Sequence, residues 1–395
     1  MGAVTQNRGN RIAASRIVAL WIALGLVGAG VVVGAAPASA SPSWSVVAPV
    51  TGAEYGHLAA VSCVSPASCF AVGVHDSPSK ETRLVERWNG TKWSVVVSPS
   101  PIGAGNSQFT SVHCLTGASC VAVGQYETAS TTKTLVERWN GTSWSIERSP
   151  NPVGVAVSGL AAVQCTSAAS CFAVGSFYVS TSDSSAERTL VEHWNGTKWS
   201  IVPSRNRSDS IDNGLTGVSC PGTTTCFAVG HSRTNLVTKT LVERWDGTSW
   251  SIVASPNPPG TAQSELSGIV CRGEAKCFAV GSGHGTLIER WNGSKWSIVT
   301  SPNPTGATGA SLTGVSCPGA TRCYAVGDFF KGGSAPQRLV ETWNGTSWSI
   351  VATPAPSGTI RSSLNGIACV TTTTCFAVGE YRLGPSRRPL IERLS

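Results

Sequence analysis

The feature that most constrains the fold of this chain is a repeated pair of cysteines. All 14 cysteines occur as Cys-x5-Cys pairs that recur about every fifty residues, and none is left over. A tandem array with a period near fifty predicts a repeat fold in which each copy forms one supersecondary unit. The seven pairs are Cys63/Cys69, Cys114/Cys120, Cys165/Cys171, Cys220/Cys226, Cys271/Cys277, Cys317/Cys323 and Cys369/Cys375.

The first forty residues have the pattern of an export signal. Arg8, Arg11 and Arg16 precede an uncharged apolar run over 17–36, and Ala-Ser-Ala at 38–40 matches the small-x-small cleavage pattern. We therefore expect a signal peptide over 1–40 and a single mature domain over 41–395. The run is long for a signal, so a retained anchor is the alternative. No later segment is apolar enough to cross a bilayer, which predicts a secreted protein, attached to the cell surface if the segment is kept.

The cysteine pairs of an exported chain predict disulfides. An even number of regularly spaced cysteines in an oxidising compartment indicates a disulfide framework. Zinc is the competing interpretation, but Cys-x5-Cys is a poor ligand spacing and no His accompanies the pairs. We expect seven local disulfides, no metal and no cofactor.

Each repeat reads as four short strands. In the fourth copy the predicted strands cover 215–220, 226–230, 240–245 and 250–254. Pro-Gly separates the first two strands and Asp-Gly the last two, and both are turn signals. Two successive hairpins give a four-stranded meander. The repeats are predicted to begin near residues 59, 110, 161, 215, 266, 312 and 364.

The two ends of the chain complement each other. The seventh repeat stops at Ser395 without a fourth, Trp-led strand, whereas an unpartnered copy of that strand occurs at 43–48, around Trp44. If this N-terminal strand completes the last sheet, the array closes into a ring, whereas an open solenoid would need polar caps. The sequence predicts an all-β fold, a seven-bladed β-propeller of four-stranded antiparallel blades.

The repeat resembles that of kelch proteins. An apolar strand ending in Gly (CFAVG) is followed by a variable loop, a second apolar strand (LVERW) and a Trp-led strand (WSIV) that leads into a proline-containing stretch. The similarity extends over all seven copies and implies a kelch-like propeller of the galactose-oxidase type. Copper oxidases of that type need a Cys bonded to Tyr. Every Cys here already has a partner, so no copper cofactor is expected.

The loops predict where a ligand would bind. The turns within each hairpin keep their length, whereas the loops between the second and third strands, and those between repeats, vary in length and sequence. Binding sites concentrate on variable loops held by a rigid scaffold. Two residues beyond the Gly of the second strand, five copies carry a ring side chain, which suggests an aromatic rim around the channel. Core packing is the alternative for these rings. The candidate ligand-binding residues are His75, Tyr126, Phe177, Phe329, Tyr381 and the neighbouring Arg382.

A catalytic site needs a group of residues that occurs once, whereas the recognisable residues of this chain recur in nearly every repeat. A glutamate of the third strand recurs in all seven copies, which favours a structural role over general acid catalysis. Removing the three leader arginines lowers the formal charge of +8 to +5, and the remaining basic residues are scattered, so no nucleic-acid partner is expected. We predict a monomeric extracellular binding or scaffold protein for carbohydrate or a protein surface. The alternative is a polysaccharide hydrolase or lyase with carboxylates on the variable loops.

Overall fold

The computed structural model describes residues 42–48, 50, 55–180 and 185–395. The expected signal segment over 1–40 lies outside these residues. The regular structure of the described residues consists of 28 β-strands. None of the described segments forms a helix with the length and apolar character needed to cross a membrane.

The strands group into seven four-stranded antiparallel sheets, which we number as blades 1 to 7 in chain order. A single parallel bridge between Val157 and Thr132 links blades 2 and 3. Blade 1 contains β2 (Gly56–Ser65), β3 (Ser68–His75), β4 (Thr82–Trp88) and β5 (Trp93–Val95), and blade 2 contains β6 (Ser107–Thr116), β7 (Ser119–Glu127), β8 (Thr132–Trp139) and β9 (Trp144–Glu147). Blade 3 contains β10 (Val157–Ser167), β11 (Ser170–Ser180), β12 (Ser185–Trp194) and β13 (Trp199–Ile201).

The remaining blades repeat this order. Blade 4 contains β14 (Asp212–Ser219), β15 (Cys226–Arg233), β16 (Thr238–Trp245) and β17 (Trp250–Ile252), and blade 5 contains β18 (Glu265–Cys271), β19 (Cys277–Ser282), β20 (Thr286–Trp291) and β21 (Trp296–Val299). Blade 6 contains β22 (Gly309–Gly319), β23 (Arg322–Phe330), β24 (Gln337–Trp343) and β25 (Trp348–Ile350), and blade 7 contains β26 (Arg361–Thr371), β27 (Thr374–Leu383), β28 (Ser386–Leu394) and β1 (Trp44–Val46).

The N-terminal strand closes the ring, as the sequence predicts. Trp44 of β1 lies opposite Leu394 of β28, and Val46 lies opposite Glu392. Backbone hydrogen bonds between Ser43 and Ser395, 3.2 and 3.3 Å long, extend the pairing by one residue. The first strand of each blade contacts the first strands of both neighbours, and blade 7 contacts blade 1. The fold is a closed β-propeller.

The first strands begin a few residues before the predicted repeat starts. In blade 4, β14 begins at Asp212 rather than at Leu215, because the apolar pattern used for the prediction is broken by a bulge. The pairing register of β14 with β15 shifts between Leu215 and Gly217. A bulge inserts one extra residue and interrupts the alternation of inward and outward side chains. The polar residues before the bulge therefore belong to the strand although they do not continue its apolar period.

The core lies between neighbouring blades. The two Trp that flank the turn between the third and fourth strands pack against each other, and Trp88 and Trp93 have ring centroids 5.8 Å apart. Phe376 of blade 7 packs against both, at 5.3 and 5.4 Å. The same arrangement of an inserted ring and a Trp pair occurs at most of the other junctions. Burial of three large rings at each junction of this kind stabilises the contact between blades.

Each predicted disulfide is formed. The two cysteines join the first and second strands of their own blade, with Cα–Cα distances between 3.8 and 4.1 Å. The described residues include no free cysteine. Seven disulfides are typical of a chain that folds in an oxidising compartment.

The second cysteine of each pair is a core residue and not part of an accessible site. It starts the second strand opposite the last Trp of the third strand, as Cys69 does opposite Trp88, and its side chain therefore faces the apolar cluster between blades. The seven second cysteines are at most 2% exposed: Cys69, Cys120, Cys171, Cys226, Cys277, Cys323 and Cys375. This burial fits the structural role expected for the disulfides, each of which fastens the first hairpin of its blade.

Candidate functional site

The two ends of the ring differ. One end carries the short turns within the hairpins, including the disulfide turns. The other carries the loops between the second and third strands and the loops between blades; we call this end the variable-loop face. Its loops include 76–81, 128–131, 234–237 and 331–336, and the corresponding loop of blade 3 lies outside the described part of the chain. The meander order of every blade places these loops together.

The central channel is lined by small and uncharged side chains. A space of about 190 Å³ is bounded by the first strands of all seven blades, at the level of their bulges. Thr110, Thr216 and Thr313 use their hydroxyl groups to donate a hydrogen bond to a backbone carbonyl of the next blade. Asn365 donates in the same way to Leu58, which joins blade 7 to blade 1. The lining contains no carboxylate, so the channel wall offers no pair of acids for glycoside hydrolysis.

The predicted aromatic positions lie on the second strand, one strand away from the channel wall. Tyr126, Phe177 and Phe329 are half-buried and pack against the apolar clusters between blades. Tyr381 is 5% exposed and belongs to the cluster between blades 6 and 7. His75 is half-buried at the end of β3. The structure therefore gives these rings packing contacts, and their role in ligand binding stays a prediction.

Three of the predicted residues line recesses on the variable-loop face, and one of them, Phe329, borders a cleft in blade 6. Tyr126 borders a small polar recess with Glu81, Gln108 and Gln125. Arg382 borders a wider one between blades 7 and 1, beside Tyr55. In this second recess Arg387 donates to both carboxylate oxygens of Asp76, at 2.7 and 2.9 Å.

A charged cluster joins blades 3 and 4 on the same face. Glu187 and His231 are 3.1 Å apart, and Arg233 pairs with Asp212. The hydrogen bond that His231 donates to the Glu187 carboxylate raises the pKa of His231 despite its burial. Burial favours the neutral form of Glu187, but the hydrogen bonds from His231 and Ser176 outweigh it and hold the pKa of this carboxyl below its usual value. These four residues were not among the predicted site residues; the available signal was that they lie outside the pattern that recurs in every repeat.

The recurring glutamates are completely buried. The seven residues Glu86, Glu137, Glu192, Glu243, Glu289, Glu341 and Glu392 are 0% exposed. Burial raises the pKa of each to about 7 or 8. In most blades a hydroxyl group from the loop of the preceding blade donates to the carboxylate, as Ser149 does to Glu192 at 2.9 Å. The hydroxyl oxygens of Ser149 and of Thr134, on the third strand of the same blade, lie 2.7 Å apart. These glutamates connect blades, which is the structural role expected from their recurrence.

Glu86 differs from the other six glutamates: Glu392 also lacks a hydrogen bond but pairs with Arg338, whereas Glu86 has neither a hydrogen bond nor an ion pair among the described residues. Neither of its carboxylate oxygens has a hydrogen-bond partner among the described residues. Blade 7 should supply the partners, but the position of Thr134 is occupied there by Pro389 and that of Ser149 by Pro49. Proline has no side-chain donor and no amide hydrogen. The placement of Pro49 lies outside the described residues. The junction that closes the ring therefore contains a buried carboxyl whose usual donors are both replaced by proline.

The chain is similar in structure to other propellers and to no known family by sequence. No family model matches the sequence, and no curated protein matches it. The solved structure described as YCF48 bound to D1 peptide is 12% identical, with a TM-score of 0.55, and the match covers 89% of this chain and 95% of that one. YCF48 from Cyanidioschyzon merolae is 13% identical, with a TM-score of 0.54, covering 89% and 98%. At such low identity the likeness supports the β-propeller fold alone.

The described residues contain no group of three or more His, Cys, Asp or Glu side chains arranged to hold a metal ion.

Proposed function

We propose that this protein is an exported, monomeric recognition propeller of kelch-like type that binds a protein surface through its variable-loop face. The observation that carries the proposal is the contrast between the two ends of the ring. One end repeats the same short turns, whereas the other combines variable loops with recesses at Tyr126 and Arg382. The structure described as YCF48 bound to D1 peptide supports it, since a propeller of similar fold binds a peptide.

The carboxyl groups argue for binding rather than hydrolysis. A glycosidase needs one carboxyl that stays protonated within reach of the substrate and a second that is ionised. The strand glutamates have raised pKa values but are 0% exposed. On the variable-loop face Glu187 is half-buried, but its pKa is lowered. A raised pKa and access to the substrate, which an acid catalyst must combine, are thus found in different residues.

Carbohydrate is a second candidate ligand because of the recess at Tyr126. Its walls combine one half-buried ring with amide and carboxylate side chains, including Glu127, which accepts a hydrogen bond of 2.9 Å from Asn106. Sugars are commonly held by this combination of an apolar ring face and polar groups of fixed orientation.

The test uses the purified mature chain on an array of extracellular proteins and on a glycan array. We expect a protein ligand whose binding falls at least about tenfold in Tyr126→Ala or Arg382→Ala. Lys92→Ala is the matched control, because Lys92 is exposed on the opposite face. Equal loss of binding in Lys92→Ala would contradict the assignment of the face. Binding to glycans alone, lost in Tyr126→Ala, would favour the carbohydrate candidate.

A further inference from the structure

One departure from the repeat on the variable-loop face is a cleft in blade 6. In blades 2 to 5 an Asn of the following loop caps the exposed edge of the third strand. Its Oδ1 accepts the backbone N–H of a Thr at 3.0 Å, as Asn151 does for Thr134 and Asn303 for Thr286. In blade 6 the Asn is replaced by Ala355 and the Thr by Arg338. Ala355 has no side-chain acceptor, so the backbone N–H of Arg338 lacks the partner that the Thr has in blades 2 to 5.

The replacement leaves an open space. Ala355, Arg338 and Arg361 all line a cleft of about 440 Å³. Blade 1 also has an Arg on its third strand, but there the Ser100 side chain occupies the equivalent position and accepts a 3.0 Å hydrogen bond from the guanidinium of Arg83. In blade 6 neither the amide group nor the hydroxyl group is present to fill the space.

The cleft is cationic and its donors are incompletely used. No acidic side chain lines it. The guanidinium of Arg338 is fully used: it pairs with the buried Glu392 at 2.6 Å and donates hydrogen bonds to Thr353 and Ser362. Arg361 has no ion pair among the described residues, and its Nε is buried without a hydrogen-bond partner. An unpartnered buried donor on Arg carries a free-energy cost that an anionic acceptor would relieve.

The walls favour a polypeptide over a sugar. They are aliphatic, with Ile350 and Ile360 exposed by 42% and 61%. The fourth strand ends at Ile350, opposite Glu341, so the first residues of the third strand, from Gln337 onwards, extend beyond it. The third strand therefore presents an unpaired edge, which an extended peptide can follow with its backbone. Sugar rings instead stack on flat aromatic faces, and the single ring in the lining, Phe329, is half-buried by core packing.

We propose that this cleft binds an acidic side chain, Asp or Glu, of an extended partner polypeptide. One carboxylate oxygen takes the place that Asn Oδ1 occupies in blades 2 to 5 and accepts a hydrogen bond from the backbone N–H of Arg338. The guanidinium of Arg361 forms an ion pair with the same carboxylate. Apolar residues beside the acidic one lie against Ile350 and Ile360. This inference rests on the proposed function and names the chemistry of its partner.

The experiment fills the cleft with the protein's own repeat residue. The probe is a short fluorescein-labelled peptide of alternating Val and Asp, compared with the same peptide carrying Asn for Asp. We expect the mature protein to bind the Asp peptide with a Kd below about 1 mM and at least about tenfold more tightly than the Asn peptide. Ala355→Asn should weaken binding about tenfold or more by occupying the space. Ser357→Asn, in the same loop but outside the cleft lining, should bind as the wild type does.

Arg361→Gln provides a second variant that leaves Ala355 unchanged, and it should lose the preference for Asp over Asn. Unchanged binding in both Ala355→Asn and Arg361→Gln would place the peptide elsewhere and overturn the cleft assignment, while the proposed function would stand. Absence of binding to the Asp peptide overturns it as well. Polygalacturonate binding that only Ala355→Asn abolishes would show a polysaccharide instead of a polypeptide. Failure of the proposed function is a separate result, namely no ligand for the variable-loop face on either array.

Discussion

Replacing Glu86 by Gln should change how the stability of the protein depends on pH. Glu86 is 0% exposed and its carboxyl has no partner among the described residues, and burial raises its pKa from 4.5 to about 7. In the unfolded chain the same carboxyl ionises with an ordinary pKa near 4.5. The folded state therefore holds this proton more tightly than the unfolded state does.

The direction of the effect follows from proton linkage. A group whose pKa is raised on folding contributes stability that is fully present below its unfolded pKa and is lost as the pH rises through its folded pKa. For Glu86 this window runs from 4.5 to about 7. At about 1.4 kcal/mol per tenfold change in the ionisation constant, the free energy of unfolding loses about 3 kcal/mol between about pH 4 and about pH 8. Glutamine of nearly the same shape does not titrate, so Glu86→Gln should escape this loss.

Differential scanning calorimetry of the wild type and Glu86→Gln across this pH range measures the effect. For a chain of this size, with an unfolding entropy of about 2.1 cal/mol/K per residue, about 3 kcal/mol corresponds to about 4 °C in Tm. The Tm of the variant, relative to the wild type, should rise by that amount from the acid to the alkaline end. Glu127→Gln makes the same change on an exposed side chain and should give curves parallel to the wild type. Parallel curves for Glu86→Gln would refute the reasoning, because they would mean that a donor already satisfies the carboxylate.

Two further predictions concern the ring closure and the charged cluster. Trp44→Ala removes a 7% exposed indole that packs edge-on against Tyr324 at 6.0 Å. It should lower the free energy of unfolding, measured by chemical denaturation, by about 3–5 kcal/mol and speed proteolysis at the N-terminal strand. Stability equal to that of the wild type would show that this strand does not hold the ring closed. The imidazole of His231 should titrate in NMR above its ordinary value of 6.5, because Glu187 raises its pKa. The midpoint should fall in Glu187→Gln, and an unchanged midpoint would exclude the 3.1 Å contact.

The closed ring could be predicted from sequence because its evidence is local and repeated. Each copy carries its own turns and disulfide, and the missing strand after Leu394 matches the extra strand at Trp44. The packing of the predicted aromatic residues could not be derived in this way. Alternation along a strand places Tyr126 and Tyr381 on one side of the blade. Whether that side meets a neighbouring blade or open solvent depends on the twist and spacing of the blades, which no single repeat encodes.

The contacts between blades were hidden for a related reason. Ser149 and Glu192 lie in different repeats, and neither residue alone indicates that one binds the other. Once the structure supplies that pairing, the sequence becomes informative again, since Pro389 in place of a Thr then identifies Glu86 as the carboxyl without its donors. A difference between repeats can thus be interpreted physically only when the residue that it contacts in the neighbouring blade is known.

Departures from the repeat sequence differ in whether the protein itself satisfies the polar groups that they affect. In blade 1 the Ser100 side chain takes the position of the Asn and accepts a hydrogen bond from the guanidinium of Arg83, so this position holds a polar side chain of the protein itself. A departure that leaves donors unsatisfied costs free energy in the isolated protein and is most readily explained where a partner restores the bond. At Glu86 the unsatisfied group is 0% exposed, so its cost falls on folding and appears as pH dependence. At Ala355 the unsatisfied amide of Arg338 opens onto a cleft on the variable-loop face, so the missing acceptor can come from another molecule.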